Sequence, residues 1–155
     1  MGGSCSVMEE KKEEINEVLE IHNKKREKHK CSSLKINDDL NKLAKECVRI
    51  ISKGNTFSQN YYQGVFLGEN IYIVKGRMFC AQDMCDAWYE EIKKYDKSLN
   101  EYQKNTSHFT QMVWKETKEI GFAYRRVKNV IYAVVYYYPP GNTSGEYKDN
   151  VLFPD

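Results

Sequence analysis

Residues 107–138 read SHFTQMVWKETKEIGFAYRRVKNVIYAVVYYY and set the fold class, because they combine a short helix with two long β-strands. Residues 105–107 are Asn, Thr and Ser, whose side-chain oxygens can accept hydrogen bonds from the unpaired backbone N–H groups of a helix start. The pattern therefore predicts a short helix that carries His108 in its first turn and ends before Lys115. An imidazole in that position projects from a rigid element.

Two predicted strands follow this helix. The segments 119–127 and 130–138 are rich in β-branched and aromatic residues, and only Lys128-Asn129 separates them, so they are predicted to pair as an antiparallel hairpin. Pro139-Pro140 cannot continue the hydrogen bonding and ends the second strand. An earlier strand is predicted over residues 68–74, where side chains alternate between two faces.

The remaining regular segments are helical. Apolar residues recur at helical spacing over residues 9–28 and again between Asn37, a good N-cap, and Gly54, a residue that commonly ends a helix. A third helical stretch runs over residues 81–95. This order of helices and strands is typical of an α+β fold in which helices pack on a small, mainly antiparallel sheet.

The composition indicates a single domain with a small net charge. The 155 residues are 41% hydrophobic, enough for a single core, and the formal net charge of +2 gives no overall field that would favour nucleic acid as a partner. We expect residues 1–8 to form a flexible N-terminal segment and residues 9–155 to form the domain. The basic run within residues 24–30 is either a solvated helix end or a surface that faces anionic lipid.

The thiols and the N-terminus favour the cytosol. Five cysteines cannot all pair and no Cys-x-x-Cys spacing occurs, so we expect reduced thiols, with Cys47 and Cys85 in the core. Neither a signal peptide nor a transmembrane helix is recognisable. The glycosylation sequons at Asn105 and Asn142 are therefore interpreted as chance matches, and glycan on either asparagine would contradict this localisation.

The first six residues, Met-Gly-Gly-Ser-Cys-Ser, match the N-myristoylation pattern, with Gly2 as the acceptor and Ser6 in the required place. Cys5 could carry a second acyl chain through palmitoylation. The alternative is that this start is a remnant of cloning. One myristoyl chain binds membranes with an association constant of only about 10⁴ M⁻¹, so stable attachment would need a second signal from Cys5 or from the basic run.

Three side chains suggest a polar cavity around His108. Glu69 shares a strand face with Ile71 and Ile73, where a carboxylate is costly unless it has a partner. Glu91 falls on the edge of the apolar face of the third helix. The alternative for His108 is a structural histidine that is bonded to a backbone carbonyl at the edge of the core.

The other two histidines are not expected to be ligands. His22 shares the buried stripe of the first helix and is interpreted as a structural histidine with satisfied hydrogen bonds. His29 follows at the frayed end of that helix and is expected to be exposed.

Several ordered motifs resemble those of a known family. HFTQMVW at 108–114 and YYYPPGN at 136–142 are similar to the two signature motifs of the CAP superfamily, which includes cysteine-rich secretory proteins, antigen 5 and plant pathogenesis-related class 1 proteins. The likeness spans residues 13–150, with supporting matches at His22-Asn23 and Arg26, at Gly68-Glu69-Asn70, and at Trp88-Tyr89 followed by Glu91. Within that family the chain most resembles the intracellular, Golgi-associated plant pathogenesis-related type, whose members lack signal peptides, carry a myristoylation site and associate with anionic membranes.

The resemblance implies an α-β-α sandwich with a central cavity, in which two histidines and two glutamates usually bind a divalent cation such as zinc. His108 matches the second histidine, and Glu69 and Glu91 match the two glutamates. The first histidine would align near Ser58, so that ligand is missing. Because one imidazole and two carboxylates are a poor set for zinc, we expect cation binding to be weak or absent and no cofactor to be required.

The resemblance also implies a non-enzymatic protein, peripheral on the cytosolic face of Golgi-like membranes. Its expected partners are an anionic membrane lipid or sterol, a protein, or a second copy of the chain in a homodimer. The candidates for a lipid groove lie in the 55–68 loop, where the alternative is that aromatic side chains only cover a core edge: Phe57, Tyr61, Tyr62 and Phe66.

Two other functions stay open. One is a metal-dependent or serine-type hydrolase centred on the cavity, with Ser58 or Ser107 near His108, although neither serine lies in a nucleophile-elbow sequence. The other is a soluble protein-interaction module with a vestigial cavity.

Overall fold

The computed structural model describes residues 7–154. The element bounds in chain order are β1 Val7–Glu9, α1 Lys12–Glu27, β2 Lys35–Ile36, α2 Asp38–Ile51, β3 Tyr61–Tyr62, β4 Val65–Phe66, β5 Gly68–Lys75, α3 Ala81–Tyr89, α4 Ser107–Met112, β6 Glu119–Val127, β7 Val130–Tyr138 and α5 Tyr147–Asn150. A 3₁₀ helix, Glu90–Lys94, continues α3 directly. None of the helices in the described range is long and apolar enough to cross a membrane.

The predicted hairpin is confirmed and forms the centre of the sheet. β6 and β7 pair antiparallel without a break, from Glu119 opposite Tyr138 to Val127 opposite Val130. The strand order is β1-β6-β7-β5, and β2 adds to β6 in the parallel sense, while β3 and β4 form a separate small hairpin. The sheet is therefore mainly antiparallel, as predicted.

The N-terminal boundary differs from the prediction. Val7 and Met8 were expected in a flexible segment, but they lie in β1, where Val7 is opposite Val127 and Met8 is opposite Arg126. Their backbone groups gain partners at the edge of β6, which no side-chain pattern in so short a segment could indicate. Gly2 and Cys5 lie outside the described residues.

The sheet separates two hydrophobic cores, as an α-β-α sandwich requires. One face packs against α2, and the other packs against α1, α3 and α4. The alternation along β7 decides which residue enters which core: Tyr136 lies on the α2 side and Tyr137 lies on the opposite side. Gly121 lets α2 approach β6 closely, because a Cβ atom at this position would lie 2.2 Å from the backbone carbon of Leu40.

Several local predictions are confirmed. Asn37 caps α2, its side-chain oxygen accepting hydrogen bonds from the amides of Asp39 at 2.9 Å and Leu40 at 3.4 Å. Cys47 and Cys85 are buried, and the four cysteines within residues 7–154 are free thiols. Residues 151–153 pack back on the domain, although the preceding residues form the one-turn helix α5 rather than an irregular tail.

The prediction that His29 is exposed is wrong. The residue is only 1% exposed, because residues of the C-terminal segment cover the end of α1. Its Nδ1–H donates to the Leu152 carbonyl at 2.6 Å, and its Nε2 accepts from the Tyr89 hydroxyl at 2.7 Å. Burial lowers the pKa of His29, so the neutral imidazole is favoured.

Arg26 connects α1 to the segment that follows α4. Its side chain is fully buried, so it is not part of a basic surface, and its guanidinium donates only to backbone carbonyls. The acceptors, with distances from the donating nitrogen, are Ser32 at 2.9 Å, Met112 at 3.1 Å, Trp114 at 2.8 Å, Lys115 at 3.5 Å and Thr117 at 3.0 Å. A planar cation with five N–H donors can satisfy all of these acceptors at once, which no other side chain can do.

Replacing Arg26 with Met should therefore lower the free energy of unfolding by at least about 3 kcal/mol, because several buried carbonyls lose their donors. Urea unfolding followed by circular dichroism measures the change. Lys24→Met, an exposed position on the same helix, is the matched control and should stay within about 0.5 kcal/mol of the wild type. Equal stability of the two variants would contradict the role assigned to Arg26.

Candidate functional site

The candidate site is built where the 3₁₀ helix meets the start of α4. The Glu91 carboxylate accepts hydrogen bonds from the backbone amides of His108 at 3.0 Å and Phe109 at 3.1 Å through Oε1. Its Oε2 accepts from Nδ1 of the His108 ring at 2.7 Å. One side chain thus caps a helix and orients an imidazole.

This arrangement corrects the predicted capping of α4. No side chain of residues 105–107 caps the helix, and Thr106 instead donates to the Gln103 carbonyl at 2.7 Å. Glu91 replaces them because α3 tightens into a 3₁₀ helix after Tyr89 instead of continuing to residue 95. A carboxylate at a helix N-terminus also interacts favourably with the partial positive charge of the unpaired amides.

The imidazole lies at the border between the core and solvent. The His108 side chain is 37% exposed and that of Glu91 is 16% exposed. The buried Trp88 stacks on the His108 ring, with centroids 5.9 Å apart and planes 5° apart. Because Nδ1 is held by Glu91, Nε2 is the ring atom left for a ligand or a proton.

The geometry allows acid–base chemistry but provides no nucleophile. A carboxylate-oriented imidazole can take up or release a proton at Nε2. Within residues 7–154, however, no serine hydroxyl or cysteine thiol hydrogen-bonds to His108, and Ser58 is exposed on the 55–60 loop. The His108–Glu91 dyad thus supplies two members of a hydrolase triad and lacks the third, the nucleophile.

A buried chain of hydrogen bonds supports the site on the core side of α4. His22 Nδ1–H donates to the Val18 carbonyl at 2.9 Å, and its Nε2 accepts from the Tyr137 hydroxyl at 2.7 Å. The Asn70 amide donates to that hydroxyl at 3.1 Å and to the His108 carbonyl at 3.1 Å. The structural role predicted for His22 is confirmed, and α1, β5, β7 and α4 are joined through it.

Asn70 and Tyr137 were not identified as site residues from the sequence. The sequence held two signals: the alternation along the strand places Asn70 on the face opposite Glu69, and both Asn70 and Tyr137 lie in motifs that carry the family resemblance. Asn70 is 1% exposed, and its partners come from segments 38 and 67 residues away.

Gln111 fixes the other end of α4. Its Oε1 accepts from the Gly141 amide at 3.0 Å, and its Nε2 donates to the Thr117 hydroxyl at 3.2 Å. Gly68 and Gly141 allow this contact, since a Cβ atom at Gly68 would lie 2.1 Å from Gln111 Oε1 and one at Gly141 would lie 2.8 Å from its Nε2. A side chain at either position would displace the Gln111 amide, so glycine at both positions preserves these hydrogen bonds.

Glu69 is not brought together with His108 and Glu91. It lies opposite Tyr136 and shares that residue's α2 side of the sheet, whereas Asn70 and the His108 dyad lie on the other side. The inward carboxylate predicted at Glu69 is instead on an exposed residue, although partial desolvation still raises its pKa. The prediction was wrong because α2 packs mainly on β6 and β7, and the α2 core reaches β5 only marginally, at Ile71.

The donor set does not fit the divalent cation implied by the resemblance. Across the described part of the chain, no group of three or more His, Cys, Asp or Glu side chains is arranged to hold a metal ion. The His108 and Glu91 pair offers one ring nitrogen and one already engaged carboxylate, fewer ligands than a zinc site of useful affinity needs.

The four aromatic candidates of the 55–68 loop divide into two pairs. Phe57 and Tyr62 are partly buried against the α2 core, and Tyr62 packs edge-on against Tyr138 at 5.1 Å. Tyr61 and Phe66 are 46% and 66% exposed, and their rings lie 5.5 Å apart on the β3–β4 hairpin. The first pair covers a core edge, and the second pair is displayed to solvent.

Comparisons with known proteins agree with this architecture. The family model described as the Cysteine-rich secretory protein family, CAP, matches residues 19–138. Human Golgi-associated plant pathogenesis-related protein 1 is 33% identical over 167 aligned residues, which cover 99% of each chain. Protein PRY2 of Saccharomyces cerevisiae is 34% identical over 110 residues, which cover 63% of this chain and 32% of its own.

Solved structures show the same fold at lower identity. The crystal structure of NaASP2 with Zn²⁺ has a TM-score of 0.73 and 22% identity, covering 94% of this chain and 87% of its own. The structure of venom allergen-like protein 4 from Schistosoma mansoni has a TM-score of 0.72 and 22% identity, covering 93% and 96%.

Removing the Glu91 carboxylate should destabilise the site. Glu91→Ala leaves two helix amides and the His108 ring without their acceptor, so the free energy of unfolding should fall by about 2 kcal/mol. Denaturant unfolding measures this change. Glu90→Ala is the control, because that side chain is 64% exposed and pairs only with Lys93, and its effect should stay below about 0.5 kcal/mol. A similar loss in both variants would contradict the capping role.

His22 should make the protein acid-sensitive. Burial lowers its pKa from 6.5 to about 4, so between these values the unfolded chain binds a proton that the folded chain does not. The contribution of the neutral His22 ring to the free energy of unfolding is fully present well above pH 6.5. It should decrease by about 2 kcal/mol between pH 7.5 and pH 5. The free energy of unfolding of His22→Gln should fall less between pH 7.5 and pH 5, because glutamine does not take up a proton there.

Two measurements check this prediction. Denaturant unfolding at both pH values compares the wild type with His22→Gln, and NMR of the ring carbons follows the protonation of His22 directly. Protonation of the folded ring near pH 6.5 would disprove it.

Proposed function

Because this chain belongs to the CAP family, we propose that it is a non-enzymatic, membrane-associated CAP protein that binds lipid or sterol. In this proposal an acyl chain on Gly2, supported by Cys5, holds the protein on the cytosolic face of Golgi-like membranes. The apolar β3–β4 hairpin contacts the lipid.

The observation that carries the proposal is the composition of this hairpin. Tyr61, Val65 and Phe66 are 46%, 42% and 66% exposed, so three large apolar side chains are grouped within six residues. Aromatic rings displayed on a rigid turn suit a membrane interface, where the ring enters the apolar region and a polar tip stays in water. Tyr62 anchors the hairpin through its contact with Tyr138.

The proposed anchor and the hairpin are two separate contacts. Val7 lies opposite Val127, at the turn end of the central hairpin, and in the strand order β1 is three positions from β5. The β3–β4 hairpin lies near Tyr138, at the other end of the central strands. Strand spacing and rise place these corners about 30 Å apart, so acylation and the hairpin should contribute independently.

The location on Golgi-like membranes is supported by similarity. The human relative is named as Golgi-associated, and the similarity covers 99% of both chains. The basic run contributes less than its sequence suggested, because Arg26 is buried and Lys25 lies 3.6 Å from Asp86 and over the Tyr89 ring. Within the basic run, Lys24 of α1 and Lys28 at its C-cap are exposed.

The dyad is assigned a structural role in this proposal. Glu91 caps α4 and His108 packs on Trp88, and both contacts position the helix. The crystal structure of NaASP2 was solved with Zn²⁺, but within residues 7–154 of this chain no group of three or more His, Cys, Asp or Glu side chains is arranged to hold a metal ion, so no step of the proposed function uses one. The hydrolase alternative gains no nucleophile from the geometry.

Flotation on liposomes that contain anionic lipid and cholesterol tests both contacts. The protein is co-expressed with an N-myristoyltransferase, and acylation is checked by intact mass. Gly2→Ala should reduce the floated fraction, and the double variant Tyr61→Ser with Phe66→Ser should weaken binding about tenfold or more, because two rings are lost. Combining both sets of changes should have an additive effect on the free energy of binding.

The control is Tyr102→Ser, which removes a ring that is 57% exposed but lies outside the hairpin. It should bind like the wild type. Unchanged flotation of Gly2→Ala would remove the acyl anchor from the proposal, and unchanged flotation of the hairpin variant would remove the lipid contact.

A further inference from the structure

Two neighbouring grooves lie where the C-terminal residues cross the end of α1. The apolar lining of the first consists of Tyr89, Ile92, Phe153 and Pro154. The second shares Phe153 and Pro154 with the first and extends over residues 151–152. These paired grooves have volumes of about 440 and 480 Å³ and are open to solvent, so both are large enough to hold a ligand.

The ridge between the paired grooves is fixed before any ligand binds. His29 Nδ1–H donates to the Leu152 carbonyl at 2.6 Å, and its ring lies edge-on to that of Phe153 with centroids 5.2 Å apart. The Phe153 ring also stacks on Tyr95, with centroids 6.0 Å apart. Because this lining is already packed, binding a ligand would order few additional side chains.

The rims of the paired grooves are basic. Within residues 7–154, Glu27 is the one acidic side chain that lines them, against four lysines: Lys28, Lys30, Lys97 and Lys148. Three of these, Lys28, Lys97 and Lys148, are exposed and form no ion pair in the described range. The whole chain has a net charge of only +2, so this local excess of positive charge suits an anionic partner.

Two of these lysines lie over the apolar lining. The Lys28 ammonium is 6.0 Å from the centroid of the Tyr89 ring, and that of Lys97 is 5.4 Å from the centroid of the Phe153 ring. Cation–π attraction favours these positions. A carboxylate beside either lysine would therefore lie next to apolar surface, so the partner must combine negative charges with apolar groups.

We propose that the paired grooves bind an acidic, extended segment of another protein, with one apolar side chain in each groove and carboxylates beside the lysines. Side chains two residues apart in an extended peptide lie on the same side, about 7 Å apart, so one peptide can reach across the Phe153 ridge. A fatty acid has a single charge and a single tail and would engage the lysines of one groove only. This inference goes beyond the proposed lipid binding and does not depend on it.

Selection from random peptides tests the chemistry without assuming a sequence. Phage that display peptides of about 12 residues are selected on the wild-type chain. The enriched peptides should carry two apolar residues with Asp or Glu beside them.

Charge reversal tests the contact, with the most enriched peptide labelled with fluorescein and its Kd measured by fluorescence anisotropy. Lys28→Glu combined with Lys97→Glu should raise Kd at least about tenfold, because attraction becomes repulsion at both grooves. A peptide with Lys in place of its acidic residues should instead bind this double variant better than the wild type.

The matched control is Lys53→Glu combined with Lys128→Glu, which makes the same change in net charge elsewhere. Lys53 follows α2 on the other side of the sheet. Lys128 is in the β6–β7 turn, at the opposite end of β6 from the C-terminal end of α1. This control should bind the acidic peptide like the wild type.

NMR of the ¹⁵N-labelled chain checks the position of the contact. Adding the unlabelled acidic peptide should shift the amide signals of residues 28–30, 89–97 and 148–154. The signals of the β3–β4 hairpin should stay unchanged, because the proposed lipid contact is a separate surface.

Three results would overturn the proposal. One is a set of enriched peptides without acidic residues. Another is an acidic peptide whose Kd is the same for the wild type and for Lys28→Glu combined with Lys97→Glu, or whose NMR shifts lie outside the paired grooves. The third is lysine-dependent binding of dodecanoate in the paired grooves while no acidic peptide binds, since the occupant would then be a lipid.

Discussion

The structure depends on a single buried cation. Arg26 has no exposed surface, and all its donors reach backbone carbonyls in segments that have no other regular partner. The chain after α4 must turn back to begin β6, and without Arg26 several of its carbonyls would be buried without donors, although Trp114 O also accepts from the Thr117 amide at 3.2 Å. The guanidinium satisfies them and so determines where α4 ends relative to α1. The candidate site lies on the helix that is held in this way.

The site follows the same principle, in which a side chain from a distant segment supplies what the local backbone lacks. Helix α4 is six residues long and has no side-chain cap of its own. Glu91 provides the cap and also holds the ring of His108, while the chain from His22 through Tyr137 and Asn70 supports the helix from the core. Such a network gives rigidity and an oriented imidazole, and it explains these residues without requiring catalysis.

Much of the fold could be predicted because its signals are local. The β6–β7 hairpin, the capping of α2 by Asn37, the buried Cys47 and Cys85, and the structural role of His22 all follow from alternation, spacing or a single capping residue. The errors arose where a distant segment decided the outcome. His29 is covered by the C-terminal residues, and Glu69 lies on an edge strand that the α2 core reaches only marginally, at Ile71.

The sequence by itself determined the fold class, the family and the presence of His108 and Glu91 near the core, because periodicity and ordered motifs are properties of the chain. Only the tertiary structure decided that Glu91 caps α4, that Glu69 faces away from His108 and that β5 is an open edge. Each of these depends on which surfaces meet across the sheet. Side-chain alternation assigns a residue to a face, but the packing of the helices decides whether that face is a core, a site or a surface.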